Sequence, residues 1–162
     1  MSAPQPDRLQ AAAFLRFLDP AATEWEFRTF DDDDRKAPRP VRVLYGSLNK
    51  HWPALLDLSN RGAGIFVTVN QTDGRGRDAD SIVRVRALFA DLDGAPLANV
   101  WNVPLDPGWV SRTSPGRFHV YWKVEGIARH EFRDLQKRII VLHSDRGLGL
   151  DEELQSKGTT AG

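Results

Sequence analysis

Two aspartates two positions apart, Asp91 and Asp93, are the residues whose types and spacing most clearly suggest chemistry. They end an apolar run with strand character, and side chains at positions i and i+2 of a strand point to the same side. Two carboxylates that protrude together repel each other unless a cation neutralises them. Mg²⁺ is typically held by one or two carboxylates plus substrate phosphates, as in two-metal nucleotidyl transfer. The pair predicts a metal site, although alone it fits a solvated strand end before Gly94 equally well.

A second candidate is the strand predicted over residues 117–124, in which apolar and polar side chains alternate. Its polar face would carry Arg117, His119, Tyr121 and Lys123. An arginine fork, a lysine point charge and an imidazole donor together suit phosphate groups, and the tyrosine is predicted to stack on a base or sugar. A lone strand histidine is more often structural. Its cationic neighbours favour a nucleotide or DNA contact here.

Arg84 and Arg86 are harder to place. Alternation back from Asp91 puts both on the face of Leu88 and Leu92, which should be buried, and arginine is rarely buried unless it is paired. Either the strand has a bulge near Ala87, or the covering helices stop short of the strand's start. We favour the second, which leaves both arginines near an edge, free to meet template phosphate or an acid of residues 31–34.

The elements that must position these residues are read from periodicity and turn signals. We predict helices over residues 7–18, 48–58 and 129–143, and strands over residues 25–30, 41–45, 65–70, 82–93, 109–113 and 117–124. In the last helix, Leu135, Ile139 and Leu142 would form the buried stripe. The mixture predicts an α+β domain.

Composition narrows the class of protein. The 162 residues carry 22 basic and 22 acidic side chains and no cysteine. Disulfides and thiolate metal sites are therefore excluded, and no stretch approaches the run of about 18 apolar residues that a membrane helix needs. We expect a soluble, cytoplasmic protein. The zero net charge counts mildly against nucleic-acid binding, since such proteins usually have a basic excess.

In order along the chain, residues 67–74, 83–94 and 114–122 resemble the RepB-like DNA primases of plasmids and prophages, members of the archaeo-eukaryotic primase superfamily. The resemblance covers about residues 25–140, with the core motifs in 64–124. It implies an RRM-like, mostly antiparallel sheet flanked by helices. It also implies that Asp91 and Asp93 bind metal and that His119 contacts the nucleotide. Asn70, in the first matching segment, becomes a candidate for nucleotide or DNA binding.

The activity implied by the resemblance is Mg²⁺- or Mn²⁺-dependent synthesis of a short primer on single-stranded DNA. Its substrates would be nucleoside triphosphates, and a replicative helicase is an expected partner. The family has a third metal-binding carboxylate on a later strand. Asp145 and Asp151 lie in that neighbourhood without a strand-like context. We therefore expect a primase-like domain over residues 1–144 that is incomplete at the C-terminus, a poorly structured tail over 145–162, and little turnover.

Two alternatives stay open beside the active primase. One is an inactive primase fragment that only binds nucleotide or single-stranded DNA. The other is a replication-initiator endonuclease that nicks DNA with a tyrosine. That class needs a metal-binding cluster of histidines, and the four histidines of this chain show no paired spacing. It therefore ranks well below the other two.

Overall fold

In the computed structural model, the described residues are 5–31, 40–76, 78–94, 96–102 and 105–144. The predicted tail, with Asp145 and Asp151, and residues 32–34 of the acidic run lie outside them. The chain divides after Val83 into two compact units, here called the N-unit and the C-unit. None of the described helices is both long and apolar enough to cross a membrane.

The N-unit combines two helices with a three-stranded antiparallel sheet. The helices are α1 (Arg8–Leu18) and α2 (Leu48–Asn60), and the sheet has the order β2 (Arg42–Gly46), β1 (Trp25–Phe30), β3 (Gly64–Val67). On one face of β1, Trp25, Phe27 and Thr29 are buried, and leucines of both helices are buried as well. As predicted, Trp25 and Phe27 lie on one face of β1 and Glu26 and Arg28 on the other, because side chains alternate along a strand.

A short two-stranded sheet lies near the end of the N-unit's sequence, with β4 (Gln71–Thr72) beside β5 (Ile82–Arg84). Two predictions need correction here. The strand predicted over residues 65–70 ends at Val67, and the strand predicted over 82–93 is two strands, β5 and β6 (Ala87–Asp93), separated at Val85 and Arg86. Face alternation therefore does not run back from Asp91 to the arginines.

The C-unit contains a second three-stranded antiparallel sheet, ordered β6, β8 (Arg117–Lys123), β7 (Trp109–Ser114). Strands β7 and β8 form the predicted hairpin, in which Gly116 takes the positive φ (76°) that favours glycine in a tight turn. Leu88, Ala90 and Leu92 of β6 and Val120 and Trp122 of β8 are buried on one face. This apolar face secures the strands that carry the candidate site.

Helix α3 (Arg129–Ser144) follows the sheet and packs against β6. Its buried side chains are Phe132, Gln136 and Ile139, whereas Leu135 is only half-buried. The predicted stripe is therefore wrong in part, and the side chain of Leu142 lies outside the description. A stripe at positions 132, 136 and 139 still has helical spacing, but it is centred on a glutamine.

Candidate functional site

The polar face of the C-unit sheet is organised by the register of its three strands. His119 of β8 lies opposite Asp91 of β6 and opposite Ser111 of β7. Residues directly opposite in an antiparallel sheet share a face, about 5 Å apart. The polar row, as we call Asp91, His119 and Ser111, therefore crosses all three strands. The predicted shared face of Asp91 and His119 is confirmed.

Two further rows flank the polar row on the same face. Phe89, Tyr121 and Trp109 form an aromatic row on one side, with the Phe89 and Tyr121 ring centroids 6.4 Å apart. On the other side Asp93 lies opposite Arg117. The two carboxylates of β6 thus stand side by side, each facing a group that can carry positive charge.

The hydrogen bonds of Gln136 show which residue pairs of β6 and β8 are not hydrogen-bonded to each other. Its carboxamide bonds both backbone groups of Phe89: Nε2 donates to the Phe89 carbonyl (2.5 Å), and Oε1 accepts from the Phe89 N–H (3.2 Å). The Phe89 peptide groups therefore point to α3 and not to β8. By alternation Asp91 and Asp93 also occupy positions that do not bond to β8, and at such positions facing side chains approach most closely.

Both aspartates have one described basic partner and remain open to solvent. His119 Nε2 lies 3.4 Å from Asp91 Oδ1, and Arg117 Nε lies 2.7 Å from Asp93 Oδ1. The Asp91 and Asp93 side chains are 41% and 58% exposed. Each carboxylate keeps oxygen lone pairs for another ligand.

The imidazole of His119 is fixed from both ends. Asp91 only accepts, so the proton of the neutral ring belongs on Nε2, and Nδ1 then accepts from the Tyr121 hydroxyl at 3.4 Å. Burial, with a smaller contribution from the charge of Asp91, raises the pKa of Tyr121 well above its ordinary value of 10.0. Tyr121 therefore stays a hydroxyl donor throughout the physiological pH range.

Tyr121 does not have the role suggested by its place in the sequence. The residue is 7% exposed, so its ring offers no open face for a base or sugar. The alternating pattern placed it correctly beside His119, but pattern alone does not report how deeply the middle of a face is covered. Its hydroxyl contacts His119, and that is the role the geometry gives it.

The remaining predicted site residues fall into two groups. Arg117, Lys123 and Arg84 are exposed, and Lys123 shares the face of His119. Arg86 is only 7% exposed, which contradicts the prediction that it lies free near an edge. A buried arginine must be paired, and Arg86 does have interactions within the chain. Asn70 is also buried, in the N-unit, so its amide is not presented to solvent.

Ser111 is the member of the polar row that sequence reasoning missed. Thr113 is an extra residue in β7, because Arg112 lies opposite Phe118 whereas Ser114 lies opposite Arg117. Counting back across the Pro115–Gly116 turn without this bulge would place Arg112 opposite His119. One inserted residue exchanges the two faces of the strand, so Ser111 joins the polar row.

The aspartate pair is chemically suited to a hard divalent cation. Its four oxygen atoms lie on one exposed face, and oxygen is the ligand that Mg²⁺ and Mn²⁺ prefer. Within the described ranges, no group of three or more His, Cys, Asp or Glu side chains converges in a way that could hold a metal ion. Oxygens of a substrate would have to complete the coordination.

No family model matches this sequence, and no curated protein matches it. Among solved structures, the AEP (archaeo-eukaryotic primase) domain of the primase-polymerase of cyanophage S-2L is similar, with a TM-score of 0.64. The fold of this chain is similar to the fold of that domain. The alignment covers 87% of this chain and 75% of that one at 23% identity, so the similarity is one of fold. The predicted mixture of antiparallel sheets and helices is confirmed.

Proposed function

We propose that this chain is a primase-type nucleotidyltransferase domain that synthesises primers on single-stranded DNA. The observation that carries the proposal is the pair of exposed carboxylates, Asp91 and Asp93, facing His119 and Arg117 across two strands. The fold shared with a primase-polymerase domain supports it. The resemblance to RepB-like primases supports a finer version, namely an RRM-like module working in plasmid or prophage replication beside a helicase.

Each residue of the face has a role in this proposal. Asp91 and Asp93 would hold Mg²⁺ or Mn²⁺, which neutralises the phosphates of the incoming nucleotide and stabilises charge in the transition state. A neutral His119 ring that donates to Asp91 would place its N–H on Nε2, the nitrogen beside that carboxylate. Once Asp91 binds a cation, that N–H is available to donate to a phosphate oxygen. Tyr121 keeps the ring in the required tautomer and orientation.

The exposed cations would hold the substrate's negative charge. Arg117 pairs with Asp93 in the free protein and would exchange that partner for a phosphate when the carboxylate binds metal. Lys123 lies further along the same face, and exposed Arg84 is a candidate for template phosphate. Binding of metal and nucleotide is therefore expected to be mutually dependent.

The test is primer synthesis on single-stranded DNA with Mg²⁺ or Mn²⁺ and labelled nucleoside triphosphates. We expect metal-dependent products that are absent in the Asp91→Asn/Asp93→Asn double variant. Asp57→Asn, at an exposed aspartate of α2, is the matched control and should behave like the wild type. Products that persist in the double variant would remove the acid pair from the catalytic site.

A second candidate is a domain that binds nucleotide without turnover. It rests on the sequence, in which Asp145 and Asp151 have no strand-like context for the third carboxylate of the family. A two-metal reaction with only two carboxylates holds at least one metal weakly. This candidate predicts metal-dependent nucleotide binding that requires Asp91, with no primer formed in the same samples.

A further inference from the structure

Ser111 occupies the third position of the polar row, directly opposite His119 and outside the three segments that resemble the family. Its side chain is half-buried and lies on the face that carries Asp91 and Asp93. The bulge at Thr113 brings it there, so its position results from an irregularity in β7. Bulges often re-aim a side chain next to a functional site.

The polarity of the Ser111 hydroxyl is set by its neighbour. Trp109, two residues earlier on the same face, donates its indole Nε1–H to Ser111 Oγ at 2.9 Å. An indole N–H only donates, so this bond occupies a lone pair and leaves the hydroxyl proton to be donated elsewhere. Among the described residues, Ser111 makes no other side-chain hydrogen bond.

We infer that Ser111 is a phosphate-binding residue, which donates its hydroxyl proton to the phosphate chain of the nucleotide bound at His119. Trp109 is its positioning residue. The inference rests on the proposed function, since it extends the same nucleotide site by one strand. His119 Nε2 and the Ser111 hydroxyl are then two donors on neighbouring strands of one face, each available to an oxygen of the same phosphate chain.

A purely structural role makes a different prediction. If Ser111 only accepted from the indole N–H, its loss would remove that bond and would lower stability without changing ligand affinity. Affinity for a phosphate chain therefore separates the two roles. Inorganic triphosphate is the sharpest probe, because it has the phosphates and lacks base and sugar.

The experiment measures the affinity of the 162-residue chain for ATP and for inorganic triphosphate, both with Mn²⁺, by calorimetry. Ser111→Ala should weaken both on the order of tenfold, the loss expected for one hydrogen bond to a charged group. Ser111→Thr keeps the hydroxyl and should restore most of the affinity. Tyr45→Phe removes an exposed hydroxyl from β2, outside the candidate site, and is the control expected to bind like the wild type.

Trp109→Phe tests the positioning role and keeps the inference testable if Ser111→Ala fails to fold. It should weaken both ligands by about threefold, and by nothing further in the Ser111→Ala background, because the two residues act as one unit. Unchanged affinities in both variants, or a loss for ATP without a loss for triphosphate, would overturn the inference. Wild-type chain that binds triphosphate but not ATP would refute the proposed function alone, and binding of neither ligand would refute both.

Discussion

The two three-stranded sheets of this protein use carboxylates in opposite ways. In the N-unit, Glu26 is 8% exposed and accepts from Arg28 Nε at 2.5 Å, from the Thr68 hydroxyl at 3.3 Å and, through its other oxygen, from the Thr72 hydroxyl at 3.5 Å. In the C-unit, Asp91 and Asp93 each have one described basic partner and are about half exposed.

The difference lies in how completely the protein itself satisfies the charge. A buried carboxylate with several donors has a structural role, because its removal leaves those donors without their hydrogen-bond acceptor. An exposed carboxylate with one partner across the sheet adds little to stability, because solvent screens the pair. It can therefore exchange that partner for a ligand. The number of donors around a carboxylate therefore indicates whether that carboxylate has a structural role or is available to bind a ligand.

The largest effect should come from Glu26. Replacing it with alanine leaves the Arg28 guanidinium without its carboxylate and should lower the free energy of unfolding by about 3 kcal/mol, as for other broken buried pairs. Urea denaturation measures this. Asp57→Ala is the control, since the exposed Arg61–Asp57 pair on α2 should contribute less than about 0.5 kcal/mol. Equal losses in the two variants would abolish the distinction.

Asp91→Asn should show the reverse pattern. We expect the affinity for a nucleotide with Mn²⁺ to fall by at least about 100-fold, because a direct ligand is lost. The free energy of unfolding should change by less than about 0.5 kcal/mol, since the partner His119 remains partly solvated. Calorimetry and urea denaturation on the same preparation give both values. A variant that unfolds easily and still binds nucleotide would give Asp91 a structural role.

The burial of Tyr121 in the candidate site should make the free energy of unfolding depend on pH. Its pKa is raised above 10.0 in the fold, so above pH 10 the unfolded chain loses the tyrosine proton first. The stability contributed by the neutral hydroxyl is complete below pH 10 and falls as pH rises, by up to about 1.4 kcal/mol per pH unit. Tyr121→Phe should flatten this decline in urea titrations between pH 9 and about 11. Tyr45→Phe, at an exposed tyrosine of β2, should keep the wild-type slope.

The smallest effect concerns Arg84 and Arg86, which are two positions apart and differ in burial in the same way as the carboxylates. Arg84 is exposed, and Arg84→Ala should reduce the slope of log affinity for single-stranded DNA against log salt by about 0.7, the value for one phosphate contact. Arg86 is buried, so Arg86→Ala should lower stability and leave that slope unchanged. Fluorescence anisotropy at several salt concentrations measures the slope. An effect confined to Arg86 would reverse the assignment.

Local pattern was sufficient wherever one strand or helix determined the answer. The alternation of residues 117–123 placed His119 on the polar face, and the β-branched and aromatic runs located most strands to within a few residues. Asp91 and Asp93 are two positions apart, so the prediction that they share a face required only that β6 be a strand. The sharing of one face by Asp91 and His119 also followed, because both strands alternate without interruption.

Features that depend on pairing between elements were not predictable in this way. The bulge at Thr113 determines whether Ser111 or Arg112 lies opposite His119, and the sequence of residues 109–114 does not predict a bulge. The break at Val85 and Arg86 separates β5 from β6, whereas the sequence pattern predicted one continuous strand. Burial of Tyr121 and Arg86 depends on what covers them, which a period of two residues does not encode.

Gln136 gives β6 a substitute for a neighbouring strand. One side chain thereby links the docking of α3 to the protection of a single backbone amide, that of Phe89. Hydrogen exchange at this amide requires the carboxamide to leave, so its exchange rate reports local opening between Gln136 and β6. Each such opening exposes a strand edge able to recruit a foreign strand, two residues before Asp91. Gln136 therefore covers the part of the β6 edge that lies nearest the candidate site.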